Sequence, residues 1–115
     1  MIDFACKRFD LDEITKCALG LTKAEMKIMK FFFEHLGDEF NSHEVSKILG
    51  LNLTTIQRAV KKLHSKNIVI RHQKNMSKGG YIYTYEAVLK KEMQDILKKV
   101  IRKWFEKVES EIDKF

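Results

Sequence analysis

The chain has 115 residues, 44% of them hydrophobic, with 22 lysines and arginines against 16 aspartates and glutamates. That length holds one domain plus an extended element, and no apolar run approaches the ~20 residues of a membrane span. Residues 1–20 mix charges with isolated apolar side chains, unlike a signal peptide, so a cytoplasmic protein is expected.

The chain contains no proline, so capping residues, glycine and asparagine punctuate it. Asp10 and Glu13 predict a short helix to about Ala18, with Leu11 and Ile14 on one side. Thr22 and Glu25 predict a second helix start, with Leu21 and Met26 placed to close a hydrophobic staple. That helix carries Met26, Met29, Phe33 and Leu36 on one stripe and is expected to stop at Gly37. Asn41 and Glu44 open a third helix, with Val45, Ile48 and Leu49 inward and Gly50 as its left-handed stop. Asn52 caps a fourth, Leu53 to about Ser65, with Ile56, Ala59, Val60 and Leu63 inward. Two short helices joined by Gly50-Leu51-Asn52 form a helix-turn-helix.

Asn67 takes a left-handed position, and Ile68 to Ile70 then reads as a strand. Gln73 to Gly80 reads as a polar, basic loop, and Tyr81 to Tyr85 as a second strand from its aromatic and β-branched content. Two strands around a basic loop after a helix-turn-helix describe a wing. From about Glu86 the periodicity becomes that of one long amphipathic helix. The fold class is therefore mainly α with a small β-wing: a winged helix-turn-helix plus a long C-terminal dimerisation helix. Three regions follow: residues 1–20 as an N-terminal segment at the dimer interface, 21–86 as the DNA-binding domain, and 87–115 as the dimerisation helix.

Charge is unevenly spread. Val45 to Tyr85 holds eight basic residues (Lys47, Arg58, Lys61, Lys62, Lys66, Arg71, Lys74 and Lys78) and no Asp or Glu, leaving 14 basic and 16 acidic residues elsewhere. A one-signed field of this kind draws polyanions. With the inner face of the fourth helix assigned, its outward set is Leu53, Thr54, Thr55, Gln57, Arg58, Lys61 and Lys62. Arg58 can fork to a guanine, and Gln57 can pair with an adenine. Arg71, Lys74 and Lys78 complete the DNA-binding candidates from the wing, suited to a minor groove or flanking phosphates. Tyr81, Tyr83 and Tyr85 share one face of the ribbon, for packing or for base stacking. Helix-in-groove reading favours DNA over RNA, whose A-form major groove is too narrow for a helix.

In the long helix Leu89, Met93, Ile96, Leu97, Val100, Ile101, Trp104, Val108 and Ile112 recur at spacings of three and four. They are the expected dimerisation residues, because the preceding domain is too small to cover so long a stripe. Cys6 and Cys17 lack CxxC spacing and the four histidines are scattered, so no metal and no cofactor is expected, and the cysteines read as free thiols. No phosphate-binding glycine loop and no nucleophile–base arrangement stands in the chain, so no enzymatic activity is expected.

Leu49 to Leu63 (LGLNLTTIQRAVKKL) closely resembles the winged-helix transcriptional regulators of the MarR and TrmB-like groups. Leu19 to Glu25 looks like the opening of the TrmB-type domain and Tyr83 to Val88 like its exit from the wing, so the likeness covers about Leu19 to Val88. It implies a winged-helix regulator of the short archaeal type, binding double-stranded DNA. The TrmB group's sugar-binding C-terminal domain has no counterpart in the terminal helix, so no effector is implied. The leading expectation is a sequence-specific homodimer on a pseudo-palindromic site. An architectural DNA-binding protein of low specificity and a protein-interaction winged helix of a basal transcription assembly are the alternatives.

Overall fold

The computed structural model describes residues 1–115 as β1 (Ile2–Phe4), β2 (Lys7–Phe9), α1 (Leu11–Leu19), α2 (Lys23–Glu34), α3 (Ser42–Leu49), α4 (Leu53–Ser65), β3 (Val69–Asn75), β4 (Tyr81–Ala87) and α5 (Lys90–Asp113). The helix starts follow their caps. Asp10 accepts the Glu13 amide, and Thr22–Glu25 and Asn41–Glu44 form reciprocal capping boxes. Each box satisfies two amides that the first helical turn leaves without a partner.

One core holds α2, α3, α4 and the root of the second hairpin together, with Ile28, Val45, Ile56, Ala59, Leu63 and Ile68 fully enclosed. All four residues assigned inward on α4 are buried. The inner face of α2 differs from the expected stripe. Met26, Ile28, Met29, Phe31 and Phe32 are buried, Phe33 is only half-buried, and Leu36 is exposed. The cause is that α2 packs against both α4 and β4, which widens its buried arc. The helix also ends at Glu34, so Leu36 lies beyond it and Gly37, at φ 86°, serves the turn. On α3, Val45 is buried and Leu49 half-buried, but Ile48 faces solvent. That helix of eight residues leans on α4 along one narrow edge.

The N-terminal segment contains an unexpected hairpin. β1 and β2 pair antiparallel through the two-residue turn Ala5-Cys6, with Asp3 opposite Arg8 and an ion pair of 2.8 Å between them. Ala5 takes φ 43°, a left-handed position usually given to glycine or asparagine in such turns. The other hairpin is longer than its sequence signal. β3 runs on through Arg71, His72, Gln73, Lys74 and Asn75 to pair in register with β4, leaving only Met76 to Gly80 as the loop.

Helix α5 starts at Lys90, after the short link Val88-Leu89. Its 24 residues span about 36 Å at 1.5 Å per residue. That is longer than either short dimension of the chain, which measures 63 × 24 × 24 Å. The expected dimerisation set divides here. Met93 is buried in the chain's own core, and Ile96, Leu97 and Val100 pack against it, beside α1. Within the single chain these four make intramolecular contacts, so the first half of α5 is at least partly covered by its own domain. Leu89, Ile101, Trp104 and Ile112 stay exposed, and Val108 is half-buried.

Lys62 is held within the fold. Its ammonium donates to the Gly20 carbonyl at 2.6 Å and to Glu25 Oε1 at 2.8 Å, tying α4 to the start of α2. Its charge is thus engaged by the fold, unlike those of the other outward cations on α4. Burial works to raise the Glu25 carboxyl, but the Lys62 ammonium and the Thr22 amide outweigh it and hold it below the usual carboxylate value. A lowered carboxylate contributes stability above its unfolded pKa and loses it as pH falls through the folded one. Lys62→Met should therefore cost about 1 kcal/mol at neutral pH, read from urea unfolding. The gap to the parent should narrow below the ordinary carboxylate value of 4.5. An equal gap at pH 7 and pH 3 would refute the pairing.

Val88 and Met93 are both buried core residues. Ending the chain after Ala87 should therefore abolish cooperative thermal unfolding, whereas ending it after Val100 should preserve it.

Candidate nucleic-acid interface

The interface is built on the outer face of α4. Asn52 caps the helix by accepting the Thr54 amide at 2.8 Å. Gly50, at φ 67°, ends α3 with its amide on the Ser46 carbonyl, and Ser46 Oγ donates to Leu51 O at 2.6 Å. These bonds fix the three-residue turn and so set the angle between the helices. With Ile56, Ala59, Val60 and Leu63 sealed below, Thr54, Gln57, Arg58 and Lys61 stand above, all four exposed. They fall on one stripe, at intervals of three or four residues. Leu53 and Thr55 flank it half-buried. The chain's ion pairs involve neither Arg58 nor Lys61. Their charges are open to a ligand.

The wing is anchored by acids that lie just outside the basic stretch. Phe40 pairs with Tyr85 through two backbone hydrogen bonds of 2.8 and 2.9 Å, adding a one-residue third strand. Thr84 Oγ1 donates to Glu39 at 2.6 Å, and Lys74 reaches the same carboxylate at 3.4 Å. The Thr84 hydroxyl, more than burial or Lys74, sets the Glu39 carboxyl below its usual value. His72 Nε2 meets Glu86 at 2.6 Å. Lys74 is thus half-committed to the fold, while Lys78 stands free at the tip. There Met76 and Gly80 close the loop at 3.0 Å, and Gly79 and Gly80 take φ 89° and 78°.

Arg71 lies across the Tyr83 ring at 4.4 Å, and Tyr81 sits beside Tyr83 at 5.2 Å between centroids. Tyr85 is buried, which pushes its phenol up, whereas Tyr81 is 55% exposed. A cleft of about 270 Å³ joins the wing to α4, lined by Asn41, Ser42, His43, Gln57, Tyr81 and Tyr83. Gln57 and the aromatic face of β4 therefore border one space. Glu39, Phe40 and Glu86 were not recognised from sequence as parts of the wing. Glu39 and Phe40 lie six and five residues before the acid-free stretch, beyond Glu44, and Glu86 directly follows it, so no local pattern singles them out. No group of His, Cys, Asp and Glu is arranged to hold a metal ion, and no helix is long and apolar enough to cross a membrane.

Known proteins share this architecture. A possible transcriptional regulator from Methanosarcina mazei Go1 is 40% identical and superposes with a TM-score of 0.93, covering 100% of this chain and 96% of that one. An uncharacterized protein of Methanocaldococcus jannaschii is 28% identical over 99 residues, which is 86% of this chain and 74% of that protein. A point mutant of MepR from S. aureus, bound to an oligodeoxyribonucleotide, has the same fold at a TM-score of 0.53 and 12% identity, over 90% of this chain and 76% of its own. The chain has the winged-helix fold of transcriptional regulators, including archaeal ones. The model of the DnaD N-terminal domain matches residues 9–111, and the chain belongs to that family.

Proposed function

We propose that the protein is a sequence-specific transcriptional regulator that binds double-stranded DNA as a homodimer, in the cytoplasm and without a catalytic step. The observation that carries this reading is the outward, unpaired row Thr54, Gln57, Arg58 and Lys61 on a helix whose other face is fully buried. A helix held that way enters a major groove with its outward N-terminal residues toward the base edges. Arg58 and Gln57 supply bidentate chemistry for guanine and adenine. Lys61, a turn further on, and Lys78 at the wing tip supply phosphate contacts. The similarity to a possible transcriptional regulator of Methanosarcina mazei, and the oligodeoxyribonucleotide bound by the MepR mutant, support the same reading.

A two-fold dimer presents its reading helices to successive faces of the duplex, about 34 Å or one turn apart, or a multiple of that. Selection of bound sequences from a random duplex pool at physiological salt tests the proposal. An enriched inverted repeat supports it. Weak enrichment would instead favour an architectural role, and no binding would favour a protein-contact role.

Within that frame Arg58→Ala should cost roughly 1–3 kcal/mol at the preferred site and relax selectivity at one base position. Lys61→Ala should weaken all sequences about equally and lower the salt slope by about one. Identical behaviour of the two variants in salt titrations would reject this division of roles. Replacing Lys74 and Lys78 together by Ala should trim the footprint at its edges and leave the central base preferences intact. Loss of central protection would place the wing elsewhere on the duplex.

A further inference from the structure

The second half of α5 carries a stripe that the chain's own domain leaves uncovered. Ile101, Trp104, Phe105, Ile112 and Phe115 are exposed, with Val108 half-buried among them. At ~100° per residue this stripe is rotated by roughly 80° from the one that Met93, Ile96, Leu97 and Val100 turn toward the domain. Extending the intramolecular contact along the helix therefore does not cover it. Its spacing is the seven-residue repeat of a two-helix seam: Ile101, Val108 and Phe115 occupy one seam position, and Phe105 and Ile112 the other.

We propose that this segment seats antiparallel on the same segment of a second copy, about a two-fold axis passing between Glu106 and Lys107. Ile101 then meets the partner's Ile112, and Phe105 meets the partner's Val108. The inference rests on the homodimer reading and specifies its seam. The charges decide the direction. Arg102 and Glu109 lie one repeat apart on one flank, and the ion pairs within α5 are Lys91–Asp95 and Lys114–Glu111, so both are free. In an antiparallel pair each flank faces itself, which sets Arg102 against the partner's Glu109 twice. In a parallel pair that flank faces Leu97 and Trp104 of the other helix, and neither ion pair forms. Flanking charges of this kind choose the orientation of such helices. The antiparallel seam also puts the two basic winged domains at opposite ends, which limits their mutual repulsion.

The test uses full-length protein with Cys6 and Cys17 replaced by Ser. Ile101→Cys and Ile112→Cys proteins, mixed and mildly oxidised, should form the mixed disulfide dimer, while each alone remains uncrosslinked. In sedimentation equilibrium Arg102→Glu should raise the dimer dissociation constant about tenfold, as expected when two pairs become repulsive. Adding Glu109→Arg to it should restore the parent value. Self-crosslinking of either single-cysteine protein, or a dimer indifferent to Arg102→Glu, would overturn the antiparallel seam and leave the homodimer standing. A parent protein that sediments as a monomer at micromolar concentration would overturn both.

Discussion

The burial of one face of α4 is the constraint on which everything else depends. Ile56, Ala59, Val60 and Leu63 are each at most 1% exposed, and truncating a large aliphatic side chain at such a site typically costs about 2–5 kcal/mol. A helix fixed so firmly has no freedom to roll, and its opposite face becomes a rigid template. The small Ala59 and the Ser46 hydroxyl bond to Leu51 O let α3 and its turn close against α4. The positions of Thr54, Gln57, Arg58 and Lys61 relative to one another are thus set by hydrophobic packing, without any ion pair among them.

The wing solves a different problem. A two-stranded ribbon is marginal on its own, and this one is also short of acidic partners along its length. It is held at the root, where Val69 and Tyr85 enter the core and Phe40 adds a single antiparallel bridge. Glu39 and Glu86 supply the missing negative charge from just outside the basic segment, on Thr84, Lys74 and His72. The stacking of Arg71 on Tyr83 restrains one cation without neutralising it, so the charge stays available while its side chain is confined.

Local signals carried most of the helical architecture. Side chain–amide caps at Asp10, Thr22, Asn41 and Asn52, the left-handed Gly50 and Asn67, and the inner face of α4 are all readable because each depends on residues within a turn or two of one another. What was not readable depends on distant partners. Leu36 and Ile48 fit their apparent stripes, yet α2 ends before Leu36 and the packing of α3 on α4 leaves Ile48 outside. Lys62 reads in sequence as another outward cation, and only the approach of Gly20 and Glu25, remote along the chain, reveals it as a cross-link. The β1–β2 hairpin lacks a glycine or asparagine at its turn, and Ala5 occupies the left-handed position without advertising it. The apolar repeat of α5 is plain, but sequence alone does not show that it is two stripes meeting near Val100. The outward set on α4 follows from its buried face, whereas the acids that anchor the wing carry no local mark.

The same sorting of contacts gives the basic segment its meaning. Eight cations in 41 residues without an acid would be a nearly uniform source of repulsion if all were left alike. The fold instead commits Lys62 to Glu25, shares Lys74 with Glu39 and lays Arg71 on an aromatic ring. Arg58, Lys61, Lys78, Lys47 and Lys66 are left unpaired, the first two on the outward row of α4 and the third at the wing tip. Unpaired like charges lower the stability of the compact state, and the enclosed core beneath α4 offsets that cost. With no acid in the segment itself, Arg58, Lys61 and Lys78 have no acidic near neighbour in sequence to quench them. Of the acids nearby, Glu25 and Glu39 face Lys62 and Lys74, Glu86 meets His72, and Glu44 closes the α3 capping box. The division of labour between cohesive and free charge is thus imposed by where acids are permitted, and it coincides with the division between the buried and outward faces of α4.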